Sequence, residues 1–240
     1  TREVIDRLVG RNAALLDPDN PNQATRMNSE ELKIELDELV REHGITPLLH
    51  AMYAAALVAD DGRIEAVCVE TKSGRQAIRA KVFIDATGDG DLAAHAGVPF
   101  GVDENLQPPT TCAKIRGLDR VSVRELYNAH HAKYDLPADS GWNAEIPNAP
   151  GVRMYAETHV FGANCAEAND LTRAEMEGRR SIRAIMDMAR KHHPELRSEL
   201  ALLALASHVG IRETRRFQAD YELTESDVLQ GRRFDDAVAN

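Results

Sequence analysis

The sequence predicts an α/β fold that becomes α+β in its second part. Three observations carry this. The apolar run Val82-Phe83-Ile84 enters Asp85-Ala86-Thr87-Gly88-Asp89-Gly90-Asp91 and then a short helix from Leu92 to His95, with Gly97 just past its end. That order reads as a buried strand, a glycine corner and a helix. Upstream, the turn signals Asp60-Asp61-Gly62 and Lys72-Ser73-Gly74 separate extended stretches in a small antiparallel meander. Downstream of Pro99, prolines and polar residues increase before a long amphipathic helix.

The elements follow in order. Val4, Ile5, Leu8 and Val9 give residues 3–10 a helical spacing that ends in Gly10. Asp17-Pro18-Asp19-Asn20-Pro21-Asn22 is loop by composition. Asn28 opens a helix with Glu31 three residues on as a capping box, Leu32, Leu36, Leu39 and Val40 as its stripe, and Gly44 as its stop. Ile45 to His50 reads as a strand with an irregular start at Pro47. Residues 63–71 and 75–81 are the next two strands, ahead of the strand at Val82. Val152 to Val160 alternates loosely enough for another strand. Thr172, with Glu175 three on, caps a helix to about His193, where Pro194 ends it. Met176, Ile182, Ile185, Met186 and Met188 form its buried side. Glu199 to Val209 reads as a core helix.

Composition narrows the function classes. With 43% hydrophobic and 28% charged residues, the 240-residue chain is of ordinary globular type. A net charge of −10, with only short basic pairs, argues against nucleic acid as a partner. No apolar run reaches the ~20 residues of a membrane span. Cys68, Cys112 and Cys165 are widely spaced and fit no zinc pattern, which suits a reducing, cytoplasmic compartment. The pairs His130-His131 and His192-His193 lack metal-ligand spacing, because neighbours on a helix point about 100° apart. No metal is expected.

Two segments carry chemistry. The corner at Asp85–Asp91 is either a capped strand-to-helix turn or a nucleotide contact. It lacks the glutamate of a calcium-binding EF-hand loop and the GxxxxGK[ST] of a phosphate loop. Thr87 and Gly88 would let a ligand approach the backbone, while Asp89 and Asp91 suit hydroxyl groups or helix capping better than phosphate. The second segment, Gly210-Ile211-Arg212-Glu213-Thr214-Arg215-Arg216, is either a helix end matched to its dipole or an anion clamp. His208, just before it, is either a packed side chain or a proton carrier.

These pieces, with Asn28-Ser29-Glu30, Lys72-Ser73-Gly74-Arg75, Asp170-Leu171-Thr172-Arg173-Ala174-Glu175 and Gly231-Arg232-Arg233-Phe234-Asp235-Asp236, occur in an order that resembles FAD-dependent oxidoreductases of the fumarate reductase and glutathione reductase flavoprotein fold. The resemblance implies part of a Rossmann-type FAD-binding domain at residues 28–98, preceded by a connecting segment at 1–27 and followed by a substrate or cap domain at 99–240. It implies FAD as cofactor, held at Ala51, Ala86, Thr87, Gly88, Asp89 and Gly90. It places Arg212 and Arg215 on the substrate side, where they would hold a small, anionic organic substrate; His208, an imidazole just before this cluster, is the candidate to move a proton. The family's N-terminal GxGxxG unit and its glycine-rich C-terminal segment do not occur in this sequence, so the chain is expected to be an interior fragment. Those parts would come from the same protein or a partner chain. Alone, the 240 residues should bind FAD more weakly than micromolar in a fluorescence titration, and should be inactive. The competing expectation is a non-catalytic binding module on a degenerate nucleotide-binding scaffold.

Overall fold

A computed structural model of the chain describes residues 2–16, 25–139, 141–156 and 158–235. The loop expected at Asp17–Asn22 lies outside these residues, as does Asp236. The elements begin with α1 (Arg2–Gly10), β1 (Ala14–Leu15), β2 (Arg26–Met27), α2 (Ser29–Glu42), β3 (Met52–Val58), β4 (Ile64–Thr71), β5 (Gly74–Ile78) and α3 (Asp91–His95). They continue with β6 (Phe100–Val102), β7 (Ala113–Arg116), α4 (Val123–His130), β8 (Trp142–Glu145), β9 (Val152–Ala156), α5 (Ala168–His192), β10 (Ala201–Leu205), β11 (Arg215–Phe217) and α6 (Glu225–Leu229). The chain is a mixed α/β protein, and its named strands pair antiparallel throughout. Among the described residues no helix is long and apolar enough to cross a membrane.

The chain forms two compact units, residues 1–49 with 104–214, and residues 50–103 with 215–240. In the first, the sheet β10-β7-β9-β8 lays Ala113, Ile115 and Tyr155 against α4 and α5. Leu126 and Tyr127 come from α4; Ile182, Ile185, Met186, Met188 and Ala189 come from α5. Each large side chain fully buried here contributes about 1.5–3 kcal/mol. Gly178 lies where α5 crosses Thr111, and a Cβ there would overlap the threonine side chain. A smaller cluster joins Leu8, Ala13 and Ala14 to Met27 and Leu32.

Several elements depart from the sequence reading, each for a local reason. Val82–Ala86 pairs with no strand among the described residues, and Ile84 is 87% exposed instead of buried. Residues 45–50 form no strand. Pro47 brings no N–H to a ladder, and His50 sits at φ +55°, so the strand starts at Met52. Residues 79–81 fall outside β5, and β9 stops at Ala156. Helix α5 begins four residues before Thr172, whose hydroxyl donates to the Ala168 carbonyl, and Met176 faces solvent. Residues 201–205 are strand, not helix. β10 pairs with β7, so tertiary pairing overrides the helix preference of a Leu/Ala run. Residues 210–216 end no helix; Arg215–Phe217 is a short strand paired with β6. Asn28 caps α2 through the Glu30 N–H, without a capping box. The buried residue of α2 is Glu35, whose carboxylate pairs with Arg11, while Leu36 is exposed. Helices α4 and α6 add to the expected elements, their starts marked by Ser122 with Glu125 and Thr224 with Asp227.

A pH response is built into the first unit. The rings of His130 and His192, at the ends of α4 and α5, stack with centroids 3.7 Å apart. Desolvation, then the charges of His130, Lys191, Lys133 and His193, push His192 below its ordinary value. His131 packs on Tyr127, and His193 bonds the carboxylate of Glu195. The unfolded chain therefore takes up a proton at His192 near its ordinary value of about 6.5, while the folded chain resists. Stability should be unaffected by this group at higher pH and fall as pH drops below that value. Denaturation midpoints at neutral pH and at mildly acidic pH should show this slope, and His192→Gln should flatten it.

Candidate functional site

In the unit of residues 50–103 and 215–235, the corner after Val82 is built around Asp85. Its carboxylate accepts from the Thr87 N–H at 3.0 Å, the Thr87 hydroxyl at 2.7 Å and the Ala93 N–H at 2.9 Å. The Thr87 hydroxyl in turn accepts from the Asp91 N–H at 2.9 Å. Asp85 thus reaches over the corner and satisfies donors at the start of α3. Burial pushes this carboxyl up, but the N–H groups of Thr87 and Ala93 outweigh it and hold it below the ordinary value.

Arg215 closes the corner from β11. Its Nη1 donates to the Asp89 carbonyl at 3.0 Å and to the Asp91 carboxylate at 2.7 Å, and its guanidinium lies over Phe100. The side chain is 12% exposed. Gly90, at φ +66°, brings the backbone so close to Phe217 that a Cβ would overlap the ring. Gly88, at φ +92°, is the opposite case: a Cβ there would meet no atom within 4 Å. Ala86 to Gly90 are contiguous here, and Ala51 lies in the same unit, just before β3. Of the residues read as cofactor contacts, Thr87 has its hydroxyl engaged within the corner, Gly90 packs on an aromatic ring, and Gly88 offers open backbone.

Arg212 and His208 lie in the other unit, with exposed side chains. The structure therefore places Arg215, but neither of them, in the unit that holds Ala86–Gly90. Near Arg212 three segments meet. Thr110 bridges both His159 and Gly210. Thr110 and Gly210 exchange N–H···O bonds at 3.0 and 2.8 Å, and the Val160 N–H donates to the Pro109 carbonyl at 3.1 Å. The Thr158 hydroxyl accepts from the Thr111 N–H and donates to the Thr111 carbonyl. His159, 8% exposed, has its Nδ1 2.7 Å from the Asp139 carboxylate. Burial raises the Asp139 carboxyl, but the bond to His159, the Gly141 N–H and the charge of Arg212 bring it below its usual range. Burial pushes the Cys112 thiol up, partly opposed by Arg212.

Polar atoms left without a partner mark this unit. His159 Nε2, Thr110 Oγ1 and the Tyr134 hydroxyl are buried and unpaired among the described residues. Such an atom costs about 1–3 kcal/mol. His159 and Tyr134 line one cavity of about 300 Å³. A larger groove of about 740 Å³, with Leu32, Trp142 and Met154 in its wall, carries no such atom. Asp139 and His159 lie 20 residues apart without motif spacing, so no sequence signal marks them as a pair. Among the described residues no three His, Cys, Asp or Glu side chains converge as a metal site.

A family model described as FAD dependent oxidoreductase matches residues 1–240. No curated protein and no solved structure matches the chain.

Proposed function

The chain belongs to the FAD dependent oxidoreductase family, and from that membership we propose that the corner Ala86–Gly90 forms one wall of the FAD site while Arg212 holds an anionic substrate group. The family implies FAD as cofactor and supports a general oxidoreductase function. Bound FAD supplies the two-electron acceptor, and the protein binds and orients the reactants.

The observation that carries the reading is Gly88: a left-handed residue with open space at its flank, in a corner whose other groups are already bonded. Glycine permits that conformation and leaves the backbone approachable. The corner fits a hydroxyl-bearing part of the cofactor better than its pyrophosphate. Asp85, Asp89 and Asp91 crowd it with negative charge, and Arg215 is engaged by Asp91. Thr87 and Gly88 would present backbone, Asp89 would accept from a hydroxyl, and Ala51 and Ala86 would add close contact. A Rossmann-type sheet is the arrangement we infer around it, with the exposed edge Val82–Ala86 taking a neighbouring strand. In this reading Arg215 sets the shape of the corner and does not touch substrate. Arg212 is the substrate-binding cation, with His208 as an exposed proton carrier in the same unit. The substrate is a small organic acid.

The test uses the intact protein. It should be yellow as purified. Arg212→Ala should leave flavin absorbance per protein unchanged and lower turnover by about 10- to 100-fold, the worth of one charge-assisted contact. Colourless protein would refute the FAD site, and normal turnover would remove Arg212 from the substrate.

A further inference from the structure

We propose that the groove between β2, α2 and the β8–β9 pair binds a flat aromatic carboxylate, with the ring against Trp142 and the carboxylate on Arg26. The site is independent of the FAD reading.

The slot lies on the sheet face turned away from α4 and α5. Ile115 and Tyr155 belong to the core on the other face. Side chains alternate along a strand, and Tyr155 stands opposite Asn143, so Trp142 and Ala144 take the groove face together with Met154, the partner of Ala144. Met27 of β2 and Leu32 of α2 complete the apolar wall, in the same unit. Two polar ties fix the start of α2 here. Asn28 Nδ2 donates to the Pro147 carbonyl at 3.3 Å, and Lys114 bonds the carboxylate of Glu30 at 2.5 Å. The volume of about 740 Å³ is that of a small-molecule site.

Trp142 is open to a ligand. It is 48% exposed, and among the described residues its indole N–H has no acceptor and no ring or cation lies over it. An uncovered indole that shares a groove with two methionines offers a flat, polarisable apolar face and one donor.

The charged groups of the wall set the sign of the ligand. Glu145 and Arg153 stand opposite each other across β8 and β9, so their charges offset. Arg153 Nε is also bonded to the Asn143 side chain at 2.9 Å. Arg26 is exposed, and among the described residues its guanidinium has no ion pair or hydrogen bond. Its fork matches a carboxylate. A ring that carries a carboxylate meets the apolar slot, the indole donor and the unpaired cation together.

The experiment follows the indole N–H NMR resonance of Trp142, the one tryptophan of the 240 residues, in intact protein titrated with 2-naphthoate, 2-naphthamide and acetate. Trp142→Phe assigns the resonance. 2-Naphthoate should shift it saturably, together with the methyl resonances of Met27 and Met154. 2-Naphthamide, the same ring without the charge, should bind about 10-fold more weakly, the worth of one charge-assisted contact. Acetate should leave the resonance in place. Arg26→Gln should bring 2-naphthoate down to the level of the amide at an unchanged melting temperature, because the side chain it replaces is exposed and unpaired. No shift with 2-naphthoate, equal binding of the two naphthyl compounds, or a preference that survives Arg26→Gln would overturn the proposal.

Discussion

Gly90→Ala should destabilise the unit of residues 50–103 and 215–235 by about 2–5 kcal/mol, the sum of about 1–2 for a left-handed L-residue and 1–3 for overpacking. The conformational part follows from φ +66° and the packing part from the overlap with Phe217, which is buttressed by Phe100 at 5.4 Å between ring centroids. Gly88→Ala serves as the control. Its φ is positive too, +92°, but it has no neighbour within 4 Å, so only the conformational part of about 1–2 kcal/mol should be lost. Because the chain has two units, a single denaturation curve need not be two-state. Native-state hydrogen exchange at residues 100–102 and 215–217 reads the local loss directly. Equal effects at the two glycines would contradict the close approach of Gly90 to the ring.

Arg215→Ala should cost about 2–4 kcal/mol in the same unit. The guanidinium makes two short bonds to the corner and lies over Phe100, on a side chain that is largely buried. Its loss removes one bond to the Asp89 carbonyl and takes the cation from Asp91. Asp91 keeps a favourable place in the first turn of α3, which limits the cost. Arg215→Lys should recover less than half: both bonds come from Nη1, at the end of a longer side chain than lysine's, and an ammonium loses the flat contact of the guanidinium over Phe100. The same exchange experiment checks both variants. Full retention of protection in Arg215→Ala would show that the clamp contributes nothing.

The meander strands at 64–71 and 74–78, α1, α2, α3 and the buried stripe of α5 were legible because local signals and tertiary packing agree there. Residues 199–209 misled because an apolar run has no period of its own; pairing with β7 decided it as strand. Val82–Ala86 misled in a related way. Its apolar residues ask for sheet neighbours, and the described residues bring none to it.

At the candidate site, the corner was readable through its glycines and aspartates, but the division of labour was not. Capping was expected of Asp89 and Asp91, whereas Asp85 supplies it, accepting from the N–H groups of Thr87 and Ala93 across the turn. Arg212 and Arg215 were read together as a substrate clamp; Arg215 pairs with β6 in one unit and Arg212 belongs to the other. Asp139, His159 and Tyr134 were invisible because their association comes from tertiary packing between segments that share no motif.

The central claim is that the corner at Gly88 touches FAD. The most direct measurement is hydrogen exchange at the backbone amides of residues 86–91 in the intact protein, with the flavin bound and after its removal. Binding of FAD should slow exchange at Gly88 and its neighbours, while amides of the β7–β9 ladder stay unchanged. Tight flavin binding with no change in exchange at residues 86–91 would contradict the claim.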